Sequence, residues 1–86
     1  MKINYTKQFV KDVEKYPLFK LKIFEVIETF KNSNSLFKLK YIKKLKDPGN
    51  YYRLKIGNFR IGFTFSDDTI TFYRFLHRKD IYRFFP

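Results

Sequence analysis

The sequence contains no cysteine and no tryptophan, one histidine, one methionine, and only three glycines and three prolines in 86 residues. Without cysteine, disulfides and thiolate metal sites are excluded. One histidine cannot build a metal site alone, and the carboxylates are too scattered to complete one. No apolar run approaches the ~20 residues that span a bilayer, and the first residues lack the apolar core of a signal peptide. The chain reads as cytoplasmic, without a metal or other cofactor. Acidic residues are also scarce. Eight Asp and Glu face 19 Lys and Arg, a net charge of +11. Such a balance points to nucleic acid, an anionic surface or an acidic protein as partner, and it also keeps an aromatic-rich domain soluble.

What the chain has instead is rings: 12 Phe and 7 Tyr. Residues 1–86 suffice for one domain, which at this size buries only ~60% of the surface its unfolded form exposes. Aromatic side chains bring a large buried area per ordered residue, so they can supply the dense core such a domain needs. The five arginines (Arg53, Arg60, Arg74, Arg78 and Arg83) all lie after Asn50, whereas the stretch through Asn50 uses lysine alone. Arginine grips phosphate through a planar fork that lysine cannot copy. The clustering places oxyanion recognition in the C-terminal part, with ring stacking or ion pairing as the structural use of one or two of the five.

Periodicity gives the order of elements. Residues 1–4 suit a short edge strand. Thr6 is a candidate N-cap for a helix to about residue 15, with Phe9, Val13 and Tyr16 on one face. Pro17 breaks the chain or opens a second helix over residues 18–31, whose stripe is Phe19, Ile23, Val26, Ile27 and Phe30. Residues 41–45 read as a short strand closed by the turn cluster Asp47-Pro48-Gly49-Asn50. From Tyr51 onward the period is two. Tyr52, Leu54 and Ile56 share one face, with Tyr51, Arg53 and Lys55 on the other. Gly57-Asn58 is a hairpin turn whose first central residue takes positive φ. Phe59, Ile61, Phe63 and Phe65 then point inward, and Arg60, Gly62 and Thr64 outward. After a turn at Ser66-Asp67-Asp68, residues 69–76 form a strand apolar on both faces, in which Arg74 alternates with Ile70, Phe72 and Leu76. The predicted fold is α+β. An N-terminal α-hairpin packs on one face of a twisted, mainly antiparallel four-stranded sheet, and the other face is open and basic.

That open face carries Arg53, Lys55 and Arg60, and the strand that follows delivers His77 and Arg78, with Tyr82 four residues on. Phosphodiester cleavage requires donors on the non-bridging oxygens, a base for the attacking hydroxyl and an acid for the leaving group. This set can supply all three. Each member also has a plain structural use: Arg53 and Lys55 as a solvated strand face, His77 as an edge histidine, Tyr82 as an anchor for the tail.

The run Tyr51-Tyr52-Arg53-Leu54-Lys55-Ile56-Gly57-Asn58-Phe59-Arg60-Ile61 resembles a signature of RelE/ParE-family toxins of type II toxin–antitoxin systems. About sixteen residues later, His77-Arg78-Lys79-Asp80-Ile81-Tyr82-Arg83-Phe84-Phe85-Pro86 is similar to the ending of that family, and Lys43-Lys44-Leu45-Lys46-Asp47 to the run before the first motif. The resemblance spans essentially the whole chain. It implies an antitoxin partner in a toxin–antitoxin hetero-oligomer. In the RNA-cleaving branch it also implies endonucleolytic cutting of mRNA, usually on the ribosome, by 2′-hydroxyl attack without a metal. By position, Lys55 resembles the general base, Arg60 the arginine that stabilises the transition state, Arg78 the second phosphate arginine and Tyr82 the C-terminal tyrosine that orients substrate. Arg53 stands where the best-known ribonucleases have lysine, so it fits a phosphate clamp, with Arg60 and Arg78, better than a base. His77 is the alternative base or acid. Two other outcomes belong to the same resemblance: a ParE-like toxin that poisons DNA gyrase without cutting RNA, and a non-toxic relative that only binds antitoxin.

Overall fold

The computed structural model describes residues 1–45 and 49–86. Lys46, Asp47 and Pro48, which carry most of the expected turn after Leu45, lie outside the described residues. Strand β1 (Lys2–Tyr5) leads into α1 (Lys7–Glu14), and a 3-10 turn (Pro17–Phe19) opens α2 (Lys20–Lys31). A second 3-10 turn (Leu36–Lys38) precedes β2 (Ile42–Lys44), β3 (Tyr51–Ile56), β4 (Phe59–Ser66), β5 (Thr69–His77) and the one-turn helix α3 (Ile81–Phe84).

The helix signals act as their chemistry requires. The Thr6 hydroxyl accepts from the Phe9 amide at 3.1 Å, capping α1. Pro17 starts a tight turn rather than the helix itself, so α2 begins at Lys20, two residues beyond the expected start at residue 18. After α2, the Ser33 hydroxyl accepts from the Ser35 amide at 3.0 Å, and the chain leaves the helix.

Among the described residues the sheet has five strands, not four, in the order β1-β5-β4-β3-β2. The fifth is β1, the edge strand expected at residues 1–4, which pairs in parallel with β5 (Lys2 with Thr69, Tyr5 with Phe72) while the other pairs are antiparallel. Gly57 takes a φ of +56°, which the β3–β4 hairpin needs and glycine adopts without strain. Asp67 and Asp68 both enter the left-handed region in the β4–β5 turn, where aspartate is among the residues that tolerate it.

Strict alternation fails once. Gly62 pairs with Arg74 but Phe63 with Phe72, so Tyr73 is an extra residue in β5. The bulge shifts the later part of β5 by one position. Phe75, rather than Arg74, then joins Phe72 in the core, and both are fully buried. The helices cover this face. Phe9 stacks on Phe72 with ring centroids 5.3 Å apart, Phe30 meets Phe63 at 5.6 Å, and Phe59 stacks on Phe75 at 5.0 Å.

The opposite face is only partly open. Residues after β5 fold back over it, burying Ile81 and Phe85 outside the main core. The Phe85 ring lies against Gly62, where a Cβ would come within 2.5 Å of it, and between Tyr51 and Tyr73, each 5.8 Å away. Glycine at 62 is therefore the seat of the tail.

Candidate nucleic-acid interface and active site

Strand pairing sets the geometry of the basic face. Lys55 stands directly across from Arg60, and Arg53 across from Gly62, on which the Phe85 ring is seated. Two backbone carbonyls hold Arg60: its Nη1 donates to Gly57 O at 3.0 Å and to Phe59 O at 2.9 Å. Arg53 Nη1 donates to Tyr41 O at 2.9 Å, and its buried Nε lacks a hydrogen-bond partner among the described residues. The Arg78 amide donates to Asn58 O at 2.7 Å, tying the end of β5 to the β3–β4 turn.

The electrostatics of the face are one-sided. Desolvation by burial pushes the Arg60 guanidinium below its ordinary pKa; Arg53 and Arg78 act in the same direction, and Tyr82 opposes them. These groups therefore share one field. Among the described residues, none of Arg53, Lys55, Arg60 or Arg78 has a carboxylate partner. Like charges held together without a counter-charge cost stability that a bound anion restores.

His77 lies elsewhere. Its cross-strand neighbour is Phe59, a residue of the helix-covered face, and the two rings meet edge-on at 5.5 Å. Its Nδ1 accepts from the Lys79 amide at 3.3 Å. The structure thus brings Arg53, Lys55, Arg60, Arg78 and Tyr82 to one face, with the Tyr82 side chain exposed, and sets His77 at the rim of the other.

Two of the five arginines serve the fold. Arg74 Nε donates to Asp12 Oδ2 at 2.8 Å and its Nη2 to Asp12 Oδ1 at 3.2 Å, and its guanidinium lies 5.2 Å from the centre of the Phe84 ring. Arg83 pairs with Asp80 at 3.7 Å and also faces Phe84. Asp12 is almost fully buried and also accepts from the Phe75 amide at 3.0 Å, sealing the edge of β5 beyond the end of β1. Burial raises the Asp12 pKa, but the hydrogen bonds from Arg74, Phe75 and Gln8 outweigh it and hold the carboxyl below its ordinary value.

The model of the family described as the ParE toxin of type II toxin–antitoxin systems matches residues 3–82. The chain belongs to the ParE/RelE toxin family. Within it, the toxin is RelE-like: it is 50% identical to toxin RelE3 of Methanocaldococcus jannaschii over the full length of both chains. It is similar to a chain of the RelB–RelE antitoxin–toxin complex from Methanococcus jannaschii, with a TM-score of 0.80 and 48% identity over 96% of this chain and 99% of that one. The archaeal RelE–RelB complex from Pyrococcus horikoshii OT3 matches in fold alone, with a TM-score of 0.76 at 19% identity over 93% and 97% of the two chains.

Two features of the toxin escaped sequence reasoning, one in the fold beneath the site and one beside it. Asp12 sits three residues after Phe9 on the apolar side of α1, and a carboxylate there was a signal for a buried cationic partner. Tyr41 has a φ of +70°, and its carbonyl accepts from both Arg53 and, at 3.1 Å, the Lys55 amide. A bulky side chain in that region costs about 1–3 kcal/mol, which the two hydrogen bonds help to hold in place. No local sequence pattern marks it.

Proposed function

We propose that this toxin is a metal-independent endoribonuclease that cuts mRNA, with the ribosome as the setting. The observation that carries this reading is Arg60, half-buried and fixed by two carbonyls among Arg53, Lys55 and Arg78, with no carboxylate paired to the set among the described residues. A phosphodiester is the anion that such an arrangement suits. In the reaction, the 2′-hydroxyl oxygen attacks the adjacent phosphorus and gives up its proton, and the P–O5′ bond breaks. The products are a 2′,3′-cyclic phosphate and a 5′-hydroxyl, whose oxygen takes its proton from water. Lys55 accepts the 2′ proton when in its neutral form. Arg60 and Arg78 stabilise the charge that grows on the non-bridging oxygens. Arg53 clamps a neighbouring phosphate, whose oxygen would satisfy its buried Nε. Tyr82, exposed beside them, orients the substrate by stacking on a base. The placement of His77 favours Lys55 as the proton acceptor.

The partner is an antitoxin, as the RelB–RelE complexes of its relatives suggest. An acidic, amphipathic segment that orders on docking matches a surface of charge +11. A second reading has support in the ParE description of the family model: poisoning of DNA gyrase without RNA cleavage.

Induction of the wild type and of Arg60→Ala, with transcripts read by primer extension, separates these readings. Discrete new 5′ ends with the wild type alone are expected, and Arg60→Ala should lower cleavage by about 10²–10³ while remaining folded. Growth arrest with intact transcripts and trapped gyrase would replace the ribonuclease with the gyrase poison. Absence of arrest would leave antitoxin binding as the function.

A further inference from the structure

Beyond the last rung of β2, the edge of β3 borders a pocket of about 460 Å³ between α2 and residues 39–41. Three lysines line it: Lys22 from α2, Lys40 from the loop and Lys55 from the basic face. Its apolar side is formed by Val26, Leu54 and Ile56, all buried. The exposed ring of Tyr41 belongs to the same wall, and none of the nine lining residues is acidic.

This composition asks for an occupant with one flat apolar surface and negative charge close to it. A nucleotide has both. The volume lies within the ~300–1,000 Å³ range of small-ligand pockets, a scale that suits a single base better than a helix. The pocket's lining draws on both sides of β3, with Leu54 and Ile56 from the core side and Lys55 from the basic side. Lys55 is therefore common to the basic face and the pocket. An added peptide strand fits less well, because the Lys55 amide is already taken by Tyr41 O and one rung is lost. The strained Tyr41 backbone links the two regions, since its carbonyl holds Arg53 while its residue borders the pocket.

We propose that this pocket is a nucleotide subsite beside the cleavage centre. It takes the base next to the scissile phosphodiester against Val26, Leu54, Ile56 and Tyr41, and that nucleotide's phosphate on Lys22 and Lys40. This rests on the ribonuclease reading and adds to it the place where sequence preference arises.

Isotope-labelled toxin titrated with adenosine, guanosine, cytidine and uridine 5′-monophosphates reports the subsite through its amide shifts. A trinucleotide with 2′-deoxy sugars reports it in a strand that cannot be cut. At least one mononucleotide should move the amides of Leu39, Lys40, Tyr41, Ile56 and Gly57. Lys22→Ala combined with Lys40→Ala should weaken that binding about tenfold or more, the scale of one lost contact to a charged group. Circular dichroism would establish that the double variant is folded, and Leu39→Glu, which places negative charge in the wall, serves as a second variant with the same expected loss. Shifts confined to the Arg53, Arg60 and Arg78 face would overturn the subsite and leave the ribonuclease reading standing. Inorganic phosphate acting as strongly as every mononucleotide would overturn it by showing that no base is recognised. A peptide of alternating Glu and Leu that occupies the pocket while nucleotides do not would make it a protein-docking site. Transcripts left intact by the wild type would remove the ribonuclease reading, and the subsite with it.

Discussion

In the proposed ribonuclease reading, strand parity favours Lys55 over His77 as the group that moves the 2′ proton. Lys55 on β3 is opposite Arg60, whereas His77 on β5 is opposite Phe59, the neighbour of Arg60 on β4 and so a residue of the other face. A residue on the wrong side of a sheet cannot reach the reacting hydroxyl without leaving its strand. Lys55→Ala is therefore expected to lower RNA cleavage by about 10²–10⁴. His77→Ala should leave the rate close to wild type, as measured on a purified transcript with both proteins confirmed folded. A large loss with His77→Ala and none with Lys55→Ala would reverse the assignment. Gly62 makes a second prediction at this scale. A methyl group there meets the Phe85 ring, so Gly62→Ala should cost about 1–3 kcal/mol in denaturant unfolding. Combined with Phe85→Ala, it should add less than the sum of the two, because both changes act on one contact.

At the level of elements, the Asp12–Arg74 pair joins α1 to β5, and Arg74 in turn faces Phe84 of α3. Asp12→Asn should destabilise the toxin by about 3 kcal/mol, because it leaves a cation held against a neutral partner. The pair also predicts a pH dependence. The Asp12 carboxyl is held below its ordinary value of 3.8, so its stabilising contribution is full above that pH. It fades as the pH falls through the lower folded value. Thermal melts of the wild type should therefore lose more between neutral pH and pH 3 than those of Asp12→Asn. Much of this level was legible in advance. Thr6 marked the start of α1, Gly57-Asn58 marked a hairpin, and alternation in β3 and β4 assigned Arg53, Lys55 and Arg60 to one face, as found. What could not be read was non-local. The Tyr73 bulge depends on register between two strands, and the partnership of Asp12 with Arg74 spans 62 residues. The parallel pairing of β1 is of the same kind: four residues cannot show where they will dock. The fold of the tail over Gly62 was hidden because Phe84 and Phe85 look alike in sequence, yet only Phe85 is buried.

For the whole molecule, the field matters more than any contact. If about three cations of the basic face each engage a phosphate, affinity for single-stranded RNA should fall as roughly the second power of salt concentration, since the slope is about −0.7 per phosphate. That is about a 20-fold loss between 50 and 200 mM salt. Fluorescence anisotropy with a non-cleavable oligonucleotide measures it, and a flat response would show that the face does not engage the backbone. Arg60→Ala should make the slope shallower by about 0.7, and Arg74→Ala should leave it unchanged.

The pairing of β1 with β5 also bears on how the toxin is made. Lys2 meets its strand partner only when Thr69 exists, and Tyr82 joins Arg60 later still. Contacts so distant in sequence form late and slowly. A nascent chain halted after Ser66 should therefore remain sensitive to protease and unable to cleave. Synthesis that lays down one edge strand 67 residues before its partner has its own delay. The ribosome will have passed residue 82 before the β1–β5 pair and the approach of Tyr82 to Arg60 can both form.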